Sequence, residues 1–316
     1  MDNGIERGES FLDDYATRSG IGPMLPVQDD VDVPYWVINQ PIKEPAAVIS
    51  AEQPTAPHRF HLMTANDLAA LPRPHWRVRG VLPETGLAAI FGPSGSGKGF
   101  LVLDLAQALA EGKDWFGYRV NQCPVVYCAL EGEAGIPVRV SAYRAKNGAI
   151  SEQVRYMAQP FNLLFPADVA ALADAIHAAG CDGGVLFIDT LNRAAPNTNE
   201  NDSQDMGRVI TAAAELQAAV GGLVVLVHHT GKDAARGLRG HSSLYAALDA
   251  VIEVTRDGEN RAWGVHKSKD GQDGATKSFR LETVDVAIED DGTPITSCVV
   301  APSESVGESI RRVVGL

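Results

Sequence analysis

Between residues 86 and 229 the chain alternates short apolar runs with segments of helical period. The runs are GLAAIF (86–91), PVVYCAL (124–130), VRYMA (154–158), GGVLFID (183–189) and GGLVVLVHH (221–229). Helix-period segments lie between them at 100–112, near 133–147, near 167–179 and near 203–219, with Gly112 and Gly180 as stops for the first and third. Hydrophobicity that is continuous rather than alternating means that both faces of a strand are covered, and crossovers of this length join parallel neighbours. The pattern predicts an α/β fold whose mostly parallel sheet is covered by helices on both faces. After residue 249 the texture changes. DAVIEVTRDGENRAWGVHKSKDG reads as two strands about an Asp257-Gly258 turn and KSFRLETVDVAI as another, which predicts antiparallel strands added at the C-terminal edge.

The flanks differ from this centre. Residues 1–57 hold ten Asp/Glu against three Lys/Arg, about half of the chain's net charge of −13, and are rich in proline without any sustained period. They are expected to form a flexible acidic arm with too little apolar content to fold alone. MTANDLAALP (63–72) predicts a short helix capped by Asn66 and ended by Pro72. The expected division is an arm at 1–57, one domain at 58–290 and a C-terminal tail at 291–316, in which SVGESIRRVVGL reads as a short amphipathic helix. The acidic balance argues against a generic basic coat for nucleic acid. Four cysteines without a C-x-x-C pair indicate neither a zinc knuckle nor a disulfide framework. No apolar run approaches the roughly 20 residues that a membrane helix needs, and MDNGIERGES lacks the pattern of an ordinary signal peptide. The expectation is a soluble cytoplasmic protein with no membrane partner.

The first strand runs into a glycine-rich loop, FGPSGSGKGF (91–100), which opens the first helix. Gly92, Gly95 and Gly97 let backbone N–H groups converge on phosphate oxygens, and the helix N-terminus adds a favourable partial charge. Pro93, Ser94, Ser96, Gly99 and Phe100 complete the candidate cradle, and Lys98 would bridge the β and γ phosphates. Asp189 ends a buried strand, at the rim where nucleotides bind; it could hold Mg²⁺ through water, or merely cap the next loop. Glu131 follows the second run and could orient an attacking water, although Glu133 is close by and a solvated glutamate would look the same. His228 and His229 are adjacent on a strand, so they point to opposite faces and cannot easily share one metal. One would face the rim as a γ-phosphate sensor while the other packs or meets solvent. GKDAARGLRGHSS (231–243) reads as a mobile loop from which Arg236 or Arg239 could reach a neighbouring subunit's phosphate, unless it is only a solvated basic loop. RAWGVHKSKDGQDGATKSFR (261–280), with five Lys/Arg against two Asp, is the place to look for a nucleic-acid backbone, or else a charged surface hairpin in which Trp263 packs.

Taken in order, GPSGSGKG, Tyr127-Cys128-Ala129-Leu130-Glu131, Ile188-Asp189-Thr190-Leu191, Val227-His228-His229 and Leu238-Arg239-Gly240-His241-Ser242-Ser243-Leu244 resemble the RepA-type hexameric ATPases of the AAA_25 group, RecA-fold proteins that include plasmid replicative helicases. The resemblance implies a RecA-like P-loop NTPase that takes ATP and Mg²⁺. It makes Lys98 the phosphate lysine, Glu131 the catalytic carboxylate, Asp189 the magnesium-site aspartate, His229 the sensor and Arg239 the finger offered to the next subunit. It also implies a ring, usually of six, around single-stranded DNA.

Gly99 departs from the pattern. The motif G-x-x-x-x-G-K-[ST] asks there for a hydroxyl that touches the metal, and neither Ser94 nor Ser96 stands where it could replace it. Nucleotide binding is expected to survive, with weaker metal affinity and turnover. The leading expectation is a DNA-stimulated ring ATPase of replication or recombination in a plasmid, phage or mobile element. Its rivals are a non-hydrolysing nucleotide switch that recruits a partner, which Gly99 favours, and a RecA-like strand-exchange protein.

Overall fold

The computed structural model describes residues 62–71, 75–230, 238 and 240–303. The acidic arm, Arg236, Arg239 and the stretch at 305–316 lie outside the described residues. Two compact units divide the chain, residues 1–69 and 70–316. The short helix α1 (Ala65–Ala70) is capped by Thr64, not by Asn66. Thr64 Oγ1 accepts from the Asp67 N–H at 3.2 Å while Asp67 Oδ2 accepts from the Thr64 N–H at 2.8 Å, a reciprocal box that places Asn66 inside the first turn.

A small antiparallel pair, β1 (Trp76–Val78) and β2 (Leu82–Pro83), precedes the main alternation. There follow β3 (Gly86–Gly92), α2 (Lys98–Glu111), β4 (Val125–Ala129), α3 (Ile136–Asn147), β5 (Val154–Met157), α4 (Pro166–Ala178), β6 (Val185–Asp189), the single turn α5 (Leu191–Ala194), α6 (Ser203–Val220) and β7 (Leu223–His229). The last elements are α7 (Ser242–Ala247), β8 (Ala250–Asp257), β9 (Asn260–Ser268), β10 (Thr276–Ile288) and β11 (Pro294–Ser303). Among the described residues, nine strands form one sheet in the order β11-β10-β9-β8-β3-β7-β6-β4-β5.

Period-two alternation sends each central strand's side chains into two separate cores. Ala88, Ile90, Tyr127, Phe187, Val225 and Val227 face one core, filled from α2 by Leu101, Leu105 and Leu109. Phe91, Cys128, Ile188, Val224 and Leu226 face the other, filled from α4 and α6 by Leu172, Ile176, Val209 and Leu216. The continuous apolar runs of the sequence therefore belong to strands covered on both sides.

Two boundaries differ from the sequence reading. β8 runs parallel to β3, because the segment carrying α7 returns the chain across the sheet before β8 begins; antiparallel pairing starts only at β9. Residues 294–303, read within a tail, are β11, which pairs with the long β10 from Pro294 to Ser303. Trp263 is fully buried and stacks on Trp115 with ring centroids 4.4 Å apart, so it packs as expected. No helix among the described residues is long and apolar enough to cross a membrane.

Candidate functional site

Parallel strands all end on one rim, and the sheet order brings four of those ends together. β3, β7, β6 and β4 are consecutive neighbours, with Gly92 opposite His229, Val227 opposite Asp189 and Ala129 opposite Asp189. The loop that leaves β3 and the residues just beyond β4 therefore converge on one cleft of about 250 Å³, lined among others by Lys98, Gly99, Glu131, Asp189, Thr190 and His229.

The loop has the backbone its glycines predict. Gly95 and Gly97 hold φ of +73° and +95°, in the left-handed region that other residues rarely adopt. Gly97 precedes α2 without any side-chain cap, and no acidic residue occupies the helix's first turn. That leaves first-turn N–H groups and the helix's positive end available to an anion. Lys98 opens the helix and is 7% exposed; its Nζ donates to the carbonyls of Gly92 at 2.8 Å and Pro93 at 2.9 Å. Burial pushes this amine below its ordinary pKa, while the nearby Asp189 and Glu131 carboxylates pull it back up.

Across the cleft the acidic groups are tied to one another. Tyr127 donates its hydroxyl to Asp189 Oδ2 at 2.5 Å, inside the buried sheet. Burial raises the Asp189 pKa and Glu131 raises it further, while the Tyr127 hydrogen bond, Arg139 and Lys98 oppose both. The Asp189 carbonyl accepts from the backbone N–H groups of Leu130 and Glu131, at 2.6 and 3.2 Å, which fixes the turn after β4 beside the end of β6. Thr190 Oγ1 then donates to Glu131 Oε2 at 2.9 Å, and His229 Nε2 stands 3.7 Å from the same oxygen. A carboxylate held by a hydroxyl and an imidazole, across from a phosphate loop, can orient a water for attack on a terminal phosphate.

Of the two histidines, His229 reaches this cleft, while His228 is 1% exposed and lies 4.0 Å from Glu200. Ser96 is buried with its hydroxyl facing Gly92. The basic stretch 261–280 does not present its charge as free surface cations. Arg261 donates to the Glu259 carbonyl and Lys267 to that of Tyr245; Lys269 pairs with Asp249, Lys277 lies over the Tyr118 ring and Arg280 pairs with Glu282. Each of its five cations has an internal partner, so the stretch offers a nucleic-acid backbone less free charge than its composition suggests.

Several residues that meet the loop escaped the sequence reading. Arg256 Nη1 donates to the Gly95 carbonyl at 3.0 Å, and Arg261 lies against Gly97. Arg139, on α3, lines the cleft and stands beside Gly99 and Asp189. The donor set suits a triphosphate but not a metal held directly at position 99. No hydroxyl follows Lys98, and a guanidinium stands where a cation would need room beside the Asp189 carboxylate.

A doubly covered parallel sheet whose first strand opens through a phosphate loop into a helix, with two carboxylates at neighbouring strand ends, defines a RecA-like P-loop ATPase domain. The chain belongs to the AAA_25 family, whose AAA domain matches residues 53–235. No curated protein matches the chain. Among solved structures, the chain is similar to an isolated ATPase domain, with 13% identity and a TM-score of 0.48 over 62% of this chain and 81% of that one. It is similar to a KaiC-like protein from hyperthermophilic archaea, Pyrococcus horikoshii OT3, with 17% identity and a TM-score of 0.46 over 72% and 94% of the two chains. It is also similar to the RadB recombinase, with 14% identity and a TM-score of 0.45 over 65% and 89%.

Proposed function

We propose that this protein is an ATP-hydrolysing, ring-forming ATPase of the RepA helicase type that acts on single-stranded DNA in replication or recombination of a plasmid, phage or mobile element. The observation that carries the reading is the cleft in which Glu131, held by Thr190 and His229, faces the loop of Lys98. In this reading the loop amides and Lys98 grip the triphosphate tail, and Glu131 orients the attacking water and takes its proton. His229 senses the terminal phosphate through its neighbour Glu131. Asp189, kept ionised by Tyr127 and by the cations around it, serves the magnesium that accompanies ATP. Arg239 of one protomer is proposed to complete the site of the next.

Phosphate release measured with and without single-stranded DNA tests the proposal, and light scattering with ATP tests the ring. Stimulation by DNA in a closed oligomer is the expected result; no release under either condition would refute the motor. A second reading, a nucleotide switch that binds ATP without hydrolysing it and recruits a partner, is favoured by Gly99. It predicts tight binding with no turnover.

A further inference from the structure

Position 99 is where a phosphate loop ordinarily supplies a hydroxyl to the metal. Here the space that glycine leaves is filled. A Cβ placed on Gly99 would stand 3.0 Å from Arg139 Nη1 and 3.7 Å from Asp189 Oδ2, so the guanidinium occupies the approach between the loop and the strand-end carboxylate. The surroundings are shaped to hold it. Gly132 and Gly135, before and at the start of α3, leave room for it, with Cβ positions 3.7 and 3.6 Å from guanidinium nitrogens, and the Phe100 ring lies 4.9 Å from its central carbon. A ring face is a favourable seat for a guanidinium.

The chemistry of this group differs from that of a hydroxyl. A serine at 99 would offer one oxygen to a cation. Arginine carries a permanent charge and a fork of donors that matches phosphate oxygens two at a time. Placed beside Asp189 it also competes with any cation for that carboxylate. Both effects favour a triphosphate neutralised by the protein itself.

We infer that Gly99 and Arg139 form a unit in which the Arg139 guanidinium supplies, at the β and γ phosphates, charge that a directly held metal would otherwise bring, so that this chain binds nucleoside triphosphate with little dependence on divalent cations. The inference rests on the reading of the cleft as a triphosphate site, and one titration separates the two. Binding of a fluorescent ATP analogue to the full chain is measured in excess magnesium and again in excess EDTA. The wild-type dissociation constant should change by no more than about threefold between the two. Arg139→Ala should weaken binding about tenfold or more, the loss expected for a charge-assisted contact, with most of the deficit in EDTA. Arg139→Lys, which keeps charge without the fork, should recover only part of it. Wild-type affinity that collapses about tenfold or more in EDTA while remaining tight in magnesium overturns the role of Arg139 and leaves the triphosphate site standing. Absence of binding in both conditions overturns the triphosphate site and the inference together.

Discussion

Tyr127→Phe removes one oxygen and keeps the ring that packs against Phe187 and Tyr156. The lost oxygen is the donor to Asp189 Oδ2 at 2.5 Å, in a place where Tyr127 is wholly buried and Asp189 nearly so. A hydrogen bond to a charged group contributes about 1.5–3 kcal/mol. At about 2–4 °C per kcal/mol for a domain of this size, the variant should melt roughly 3–12 °C lower than wild type near pH 8. The pH dependence is the sharper part. Burial already holds the Asp189 pKa above its ordinary value, so folding favours the protonated acid, and this residue's contribution to stability falls as pH rises above the unfolded value of about 3.9. Tyr127 limits that fall by stabilising the anion. Without it the folded-state pKa climbs further and the fall continues to higher pH. The gap between wild type and variant should therefore be widest above neutrality and should narrow as the solution is made acidic. Thermal unfolding followed by circular dichroism across a pH series reads both quantities. Equal melting temperatures near pH 8, or a gap that stays constant across the series, would refute the reasoning.

Glu131→Gln should lower phosphate release about 10²-fold or more, the scale of losing a positioned base, while nucleotide affinity by fluorescence titration stays within about threefold. Gly92→Ala would place a Cβ 2.1 Å from the Val254 carbonyl oxygen. Because the obstacle is backbone, β3 and β8 must separate, and the denaturation midpoint should drop by the equivalent of about 3 kcal/mol or more. Asp104 accepts from Trp115 Nε1 at 3.0 Å and is pushed up to about 7 by burial, with Glu111 adding and the tryptophan opposing. Its folded-state pKa exceeds the unfolded value, so it costs stability as pH rises from about 4 to 7. Asp104→Asn should melt above wild type at pH 8, and the advantage should vanish near pH 4.

The sequence lets the strand ends be read because parallel strands covered on both faces leave a simple signature, and their ends share one rim by geometry. Lys98, Glu131, Asp189 and the histidine pair could be placed near one another on that basis. The choice between His228 and His229 depends on which face each occupies, and that follows from register: His228 lies opposite Phe91, whereas His229 lies opposite Gly92 where the loop leaves the sheet. Arg139 was not legible. In sequence it is a cation in the first turns of a helix, which usually means solvent, and only the approach of α3 to the loop gives it another setting. Tyr127 reads as one more apolar residue of a buried strand; its hydroxyl acquires a partner through the pairing of β4 with β6. The basic run 261–280 misled for the opposite reason. Composition records charge, but it does not record that Asp249, Glu282 and several carbonyls lie within reach of it in the fold.

The antiparallel strands lie beyond the residues that carry the family match, yet they shape the site in two ways. β8 and β9 press on the phosphate loop itself: the Val254 carbonyl excludes any side chain at position 92, Arg256 holds the Gly95 carbonyl and Arg261 lies along Gly97. β10 and β11 hold the helix that brings Arg139. Ala142 and Tyr143 of α3 share a small core with Leu103 of α2 and Val299 of β11, and Lys146 reaches Glu282 of β10 at 2.7 Å. A loop with three glycines is soft on its own, and a long arginine side chain has many rotamers to lose. Packing both against one rigid sheet extension sets the loop and the guanidinium in register before any ligand arrives, so less ordering remains to be done on binding. The edge of the sheet therefore belongs to the chemistry of the cleft, and loosening it should weaken nucleotide binding without touching a residue that faces the phosphates.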